Sequence, residues 1–175
     1  MSSTIHNSGG ADPGLHGAIA RIAYDTVARR GLLRVHRMPT VLVGKSNPRP
    51  QPDPIGIAAL LRELGLDHLV LEKVNGMIGE GASRAFAFGH GRGAVAGAAA
   101  ALGIPLSEPV PTVWKPKLAV PSDKKLAKAR ATQLLPGCAA AWPLAGDHDL
   151  AEAALLAFYG LLERGIVPIN ISLEA

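Results

Sequence analysis

The 175-residue, 18.1 kDa chain is long enough for one compact domain with a buried core. With 48% hydrophobic residues, only 18% charged residues and a mean hydropathy of +0.21, it is not an intrinsically disordered protein. Lys and Arg outnumber Asp and Glu by 18 to 14, and the resulting charge of +4 and pI near 9.5 draw the molecule towards polyanions.

The single cysteine, Cys138, cannot form an internal disulfide or a multi-thiolate zinc site, and fits a reducing compartment. No Lys or Arg precedes Arg21, so the basic start of a signal peptide is missing. Uncharged stretches such as Gly93 to Ser107 fall short of the roughly 20 apolar residues that span a bilayer. These features point to a soluble, cytoplasmic protein with no membrane partner.

Thr4 to Ala11 reads as a weak first strand, because only Ile5 is strongly apolar and Gly9 and Gly10 loosen the backbone. Gly17 to Tyr24 and Gly31 to Arg37 are β-rich runs on either side of Asp25 to Arg30, a pattern that predicts an antiparallel hairpin. Gly44 to Pro54 carries four prolines in its last seven residues and reads as an extended loop. Ile55 to Leu64 has helical spacing through Ile57, Leu60, Leu61 and Leu64. His68 to Val74 is an apolar run of the kind a buried strand shows, interrupted by Glu72.

Ser83 to Leu102 is an Ala- and Gly-rich helix whose small side chains permit close packing on a sheet. Val110 to Trp114 reads as a short strand, and Ser122 to Leu135 as a basic amphipathic helix with Ser122 as its cap. Asp147 to Leu162 is a final helix with Leu155, Phe158 and Leu162 on its apolar face. The order βββαβαβαα predicts one α/β domain over residues 1–175, with three antiparallel strands followed by two parallel ones, a core over 11–163 and a C-terminal tail at 164–175.

Charge is clustered. Between Pro13 and Pro52 stand Arg21, Arg29, Arg30, Arg34, Arg37, Lys45 and Arg49 against one acid, Asp25. Lys115, Lys117, Lys124, Lys125, Lys128 and Arg130 form a second group around Asp123. Solvated faces produce such runs, and so do phosphate-binding ones. Two familiar motifs fail. Val43-Gly44-Lys45-Ser46 has the tail of a P-loop, but Pro39 stands where the first glycine belongs and no helix follows. Gly91-Arg92-Gly93-Ala94-Val95-Ala96 matches a dinucleotide fingerprint but lies inside a helix.

The acids carry more. Asp12 precedes Pro13 and is pushed into extended geometry at the end of the first strand, although Asp-Pro-Gly is also an ordinary turn. Glu72 within an apolar strand costs several kcal/mol to desolvate unless it is paired or binds a cation. Asp149 and Glu152 project from one face of the last helix's first turn, where a capping box and the helix dipole would also favour them; Asp147 and His148 stand beside them. Carboxylates gathered from these three places repel one another, and hard divalent cations such as Mg²⁺ relieve that repulsion.

Asp12-Pro13-Gly14-Leu15-x-Gly17-Ala18, Leu69-Val70-Leu71-Glu72-Lys73-Val74, Met77-x-Gly79-x-Gly81-x-Ser83-x-x-Phe86-x-Phe88-Gly89, Val113-Trp114-Lys115, Asp123-Lys124 and Ala151-Glu152-Ala153-Ala154-Leu155 follow in an order and spacing that resemble the RuvC-like Holliday junction resolvases, in particular their phage and prophage branch. The resemblance covers about residues 11 to 163. It implies an RNase H-like fold and a structure-selective endodeoxyribonuclease that resolves four-way or other branched DNA junctions. It also implies a homodimer with two Mg²⁺ ions, or Mn²⁺, per active site. Asp12, Glu72, Asp149 and Glu152 correspond to the family's metal-binding acids, with Asp147 or His148 open as alternatives to Asp149. Lys115, Lys117, Lys124, Lys125, Lys128 and Arg130 would hold DNA, with Asn75 at the family's base-stacking position and Met77 as a substitute wedge. A different reading is a catalytically inactive branched-DNA-binding or structural protein of the same fold. An actin-like ATPase shares the core topology, but its two lobes need a longer chain.

Overall fold

The computed structural model describes residues 4–73 and 81–174. Three antiparallel strands open the chain: β1 (Ile5–Asp12), β2 (Ala18–Asp25) and β3 (Arg30–Arg37). β4 (Thr40–Val43) and β5 (Arg49–Pro52) form a separate two-stranded ribbon before helix α1 (Pro54–Leu64). There follow β6 (His68–Leu71), α2 (Ala82–Ala101), β7 (Leu106–Ser107), α3 (Pro111–Lys117), α4 (Lys124–Leu134), α5 (His148–Glu163) and β8 (Ile171–Leu173). The main sheet has six strands in the order β7-β6-β1-β2-β3-β8. β6 is parallel to β1, with Ala11 opposite Leu71, and β7 is parallel to β6.

Side chains alternate across this sheet and build two cores. On one face Ala18, Ala20, Ile22, Leu33 and Val70 pack against α3, α4 and α5 around Trp114, Leu135, Trp142 and Tyr159. On the other, Ile19, Leu69 and Leu71 meet Ile57, Leu61 and Leu64 of α1 and Val95 and Ala99 of α2.

The first strand, weak by composition, is central in the sheet, and its small residues are the reason α5 comes so close. Ser8 Oγ donates 2.8 Å to the carbonyl of Ala157, a Cβ at Gly10 would strike the backbone of Ala153 and Ala157, and one at Gly160 would strike Ser8 and Val70. With α4 packed on its far side, α5 is buried continuously from Leu150 to Leu161, wider than the single apolar face its sequence suggests.

Four expectations need correction. Val110–Trp114 is not a strand but leads into α3: Pro111 presets the helical φ at a first-turn position whose N–H would be unpaired anyway, and the turn carries Trp114 into the core at 0% exposure. The second parallel strand is the two-residue β7, and the segment after residue 164 adds β8 beside β3, so the sheet has six strands where five were expected. The proline-rich segment 44–54 is a loop only at its tip. Its later part pairs with Thr40–Val43, since a two-stranded ribbon has open edges that accommodate Pro50 and Pro52. The cap of α4 is Asp123, not Ser122: its Oδ1 accepts from the N–H groups of Lys125 at 2.9 Å and Leu126 at 3.0 Å.

Candidate active site

The parallel register of β1 and β6 determines where the first two acids stand. Gly10 and Val70 face α5, so Asp12 and Glu72, two residues further on, share that face at the carboxyl ends of neighbouring strands. The pairing continues past β6, with Glu72 N–H donating to the carbonyl of Ala11 at 3.1 Å. From above, the close seat of α5 on Gly10 brings its first turns, with Asp149 and Glu152, over the same spot.

The four carboxylates feel one another. Burial, then repulsion from Asp149 and Glu72 and more weakly Glu152, pushes the Asp12 carboxyl up to about 7, against the opposing hydrogen bond from Gly14 N–H to Oδ1 at 3.3 Å. Glu72 is 6% exposed, and its carboxyl is raised by burial and by Glu152, opposed by Trp114 and Lys115. Asp149 is raised by burial and by Glu152, while His148, Lys124 and His16 pull it down.

Cations and donors flank the group. Trp114 Nε1 donates 3.0 Å to Glu72 Oε1, and Lys115 Nζ pairs with Glu152 Oε1 at 2.8 Å. Lys124 Nζ lies 2.8 Å from His148 Nε2 and 3.9 Å from Asp149 Oδ1, and His148 Nε2 lies 2.9 Å from that same oxygen. Among the described residues no three Asp, Glu, His or Cys side chains converge closely enough to grip an ion in this arrangement. The donor chemistry nevertheless fits a hard divalent cation: Asp12, raised by burial and then by its acidic neighbours, and the other three carboxylates are oxygen ligands that positive charge would stabilise.

Asp147, an alternative ligand by sequence, is engaged elsewhere. It is 3% exposed, pairs with Arg37 Nη2 at 2.5 Å and accepts the N–H of Leu144 at 2.7 Å. These contacts hold its carboxyl below the usual range, the backbone bond foremost.

The basic group of residues 115–130 divides. Lys115 and Lys124 face the acids. Lys117 Nζ reaches Tyr159 OH at 3.4 Å, Lys128 Nζ bonds the carbonyl of Leu144, and Arg130 Nε donates 2.8 Å to the carbonyl of Leu118. Lys125 is exposed at the start of α4. Asn75 and Met77 lie outside the described residues. Sequence reasoning missed three participants. Trp114 stands in the Val113-Trp114-Lys115 motif of the resemblance, but the sequence assigns it no role at the acids, although a buried indole N–H demands an acceptor. His16 sits in the turn after Asp12 and reaches Asp149 electrostatically. Arg37 carried no signal of its tie to Asp147, 110 positions away.

No protein-family model matches the chain, and no curated protein matches it. Solved structures do. The RuvC of T. thermophilus in complex with a Holliday junction substrate is 15% identical, over 90% of this chain and 95% of its own, with a TM-score of 0.56. A second Thermus thermophilus RuvC structure is 14% identical over 91% of this chain and 97% of its own, with a TM-score of 0.51. The chain has a RuvC-like, RNase H-like fold. No helix among the described residues is long and apolar enough to cross a membrane.

Proposed function

We propose that this chain is a divalent-metal-dependent endodeoxyribonuclease that cuts four-way or other branched DNA, acting as a homodimer of single-domain subunits. The observation that carries the reading is the placement of Asp12 and Glu72 at the carboxyl ends of the neighbouring strands β1 and β6, under the first turns of α5 that bear Asp149 and Glu152. The structurally similar T. thermophilus RuvC, captured with a Holliday junction substrate, supports the choice of branched DNA.

In this reading Asp12, Glu72, Asp149 and Glu152 hold two Mg²⁺ ions, or Mn²⁺ in their place. Ions held by these four acids would supply an activated water and stabilisation of the departing oxygen of a phosphodiester. Asp12, whose carboxyl burial and the neighbouring acids push up to about 7, would have to be deprotonated to serve as a ligand. Lys115 and Lys124 compensate the acids' charge, Lys115 at Glu152 and Lys124 beside Asp149, and turn to the incoming phosphate once the acids are neutralised. Lys125 and the exposed Arg49 and Lys45 of the ribbon meet further phosphates, fixing position rather than reading bases.

A second reading, a branched-DNA binder without activity, draws on one specific observation: ammonium groups lie on Glu152 and near Asp149. A badly anchored first strand would also favour this reading, but β1 pairs along its whole length with β2 and from Ser8 to Ala11 with β6. A labelled four-way junction incubated with protein and Mg²⁺ separates the two. The nuclease nicks it, Glu72→Gln abolishes nicking and retains binding, and a wild-type protein that binds without nicking overturns the proposal in favour of the second reading.

A further inference from the structure

The chain has two tryptophans, and both are buried with their N–H groups satisfied. Trp142 Nε1 donates to a neutral hydroxyl, Thr132 Oγ1, at 3.0 Å. Trp114 Nε1 instead donates, also at 3.0 Å, to Oε1 of Glu72. A buried indole N–H needs some acceptor, and a hydroxyl or carbonyl serves a core residue well. Spending it on a carboxylate at the centre of an acidic group makes a charge-assisted bond that fixes one of two oxygens on a side chain that could otherwise turn about three torsions.

Trp114 does not stand on a mobile support. It is carried by the seven-residue α3, which has prolines at positions 111 and 116, and Val120 N–H closes back on the carbonyl of Lys115 at 2.9 Å. The neighbouring Lys115 holds its Nζ 5.3 Å from the centroid of the indole and 2.8 Å from Glu152 Oε1. One ring thus borders the fixed oxygen of Glu72 on its N–H edge and the cation that holds Glu152 on its face.

Resting on the reading of Glu72 and Glu152 as metal ligands, we infer that Trp114 is a positioning residue: its N–H sets the rotamer of Glu72 and leaves Oε2 to bind the ion. Among the described residues no hydrogen-bond donor is found for Oε2. A side chain that orients a ligand without touching the ion tunes affinity through geometry, and losing such a partner costs about 10- to 100-fold in metal affinity or activity.

The experiment removes the N–H and keeps the shape. In a Trp142→Phe background, position 114 is the only tryptophan, and growth on the benzothienyl analogue replaces its N–H by sulfur at nearly constant volume. Trp114→Phe in the otherwise unaltered chain is the second variant. Three quantities are read: Mn²⁺ binding without DNA by calorimetry, junction binding in EDTA, and nicking with kcat separated from KM. Both changes are expected to weaken Mn²⁺ about 10- to 100-fold and to lower kcat by a similar factor, with junction binding and KM unchanged. An analogue-bearing protein that binds Mn²⁺ as the Trp142→Phe parent does overturns the inference, and so does loss in Trp114→Phe alone, which assigns the role to ring volume. If the parent binds Mn²⁺ and nicks junctions while the analogue changes nothing, the nuclease proposal stands and only the positioning role falls. If the unaltered protein binds no Mn²⁺, both fall.

Discussion

The backbone of Gly10 lies against the carbonyl of Ala153, so close that a side chain at residue 10 has nowhere to go: an added Cβ would collide with Ala153 O, Ala157 N and, at 2.8 Å, the carbonyl carbon of Leu156. This contact is where a strand end and a helix start are brought to a common point. Asp12 lies two residues beyond Gly10, and Glu152 one residue before Ala153.

Gly10→Ala is therefore expected to destabilise the fold by about 3 kcal/mol or more, because the obstacle is helix backbone rather than a flexible side chain. Gly97, exposed within α2 with open space where a Cβ would stand, is the control: Gly97→Ala should stabilise by about 0.5–1 kcal/mol through helix propensity. Urea unfolding of both variants checks the pair. Equal effects would mean that α5 does not sit on β1 as described.

The same contact shows what was legible in the sequence and what was not. Asp12 and Glu72 stood out because extended geometry before proline and a charge in an apolar run are local signals, and strand alternation then aligned them. Gly9 and Gly10 loosen the first strand on paper because a glycine's purpose lies in the partner it admits: for Gly10 that partner is the backbone of Ala153 and Ala157, more than 140 residues away, and for Gly9 it is Leu66 and Leu69. Val110–Trp114 read as a strand from its β-branched composition, while Pro111 and the burial of Trp114 settled it as a helix turn. β8 is not legible in the sequence because its three residues carry almost no periodicity and are placed by long-range pairing with β3 and contact with Gly137.

Protonation of Asp12 couples stability to pH in the metal-free protein. Its native carboxyl titrates at about 7 against 3.8 ordinarily, so between those values the folded chain keeps a proton that the unfolded chain has released. The native state is then favoured fully at low pH by this group and loses that contribution as pH rises through about 7. Asp12→Asn cannot ionise. Its stability advantage over the unaltered chain should be near zero at about pH 4, grow across the interval and level off above neutrality. Denaturant titrations in EDTA over this range measure the difference directly, and a pH-independent difference would contradict the raised carboxyl. Mg²⁺ at neutral pH should narrow the gap by stabilising the unaltered chain alone.

Asp147 and Asp149 are two residues apart but should fail differently. Asp147 is buried between Arg37 and the Leu144 N–H, so Asp147→Asn is expected to cost about 1–3 kcal/mol of stability and to retain nicking. Asp149, raised by burial and by Glu152, belongs to the repelling group. Asp149→Asn should remove nicking and leave the unfolding midpoint unchanged or higher. Thermal unfolding and junction cleavage of the two proteins decide which acid completes the site, and the reverse pattern would exchange their roles.

Phosphate contacts are countable by salt. If four side chains of the basic surface meet phosphates, the logarithm of junction affinity should fall against the logarithm of salt concentration with a slope of about −3.6. The structure distinguishes members of that surface in advance. Lys125 is exposed, whereas Arg130 is tied to the carbonyl of Leu118 and to Gln133. Lys125→Ala should therefore reduce the slope by about 0.9 with no change in stability. Arg130→Ala should lower stability and keep the slope, since its guanidinium is already committed within the fold. Binding measured across a salt series for the three proteins tests this, and a slope near zero in the unaltered chain would remove α4 and the segment before it from the DNA interface.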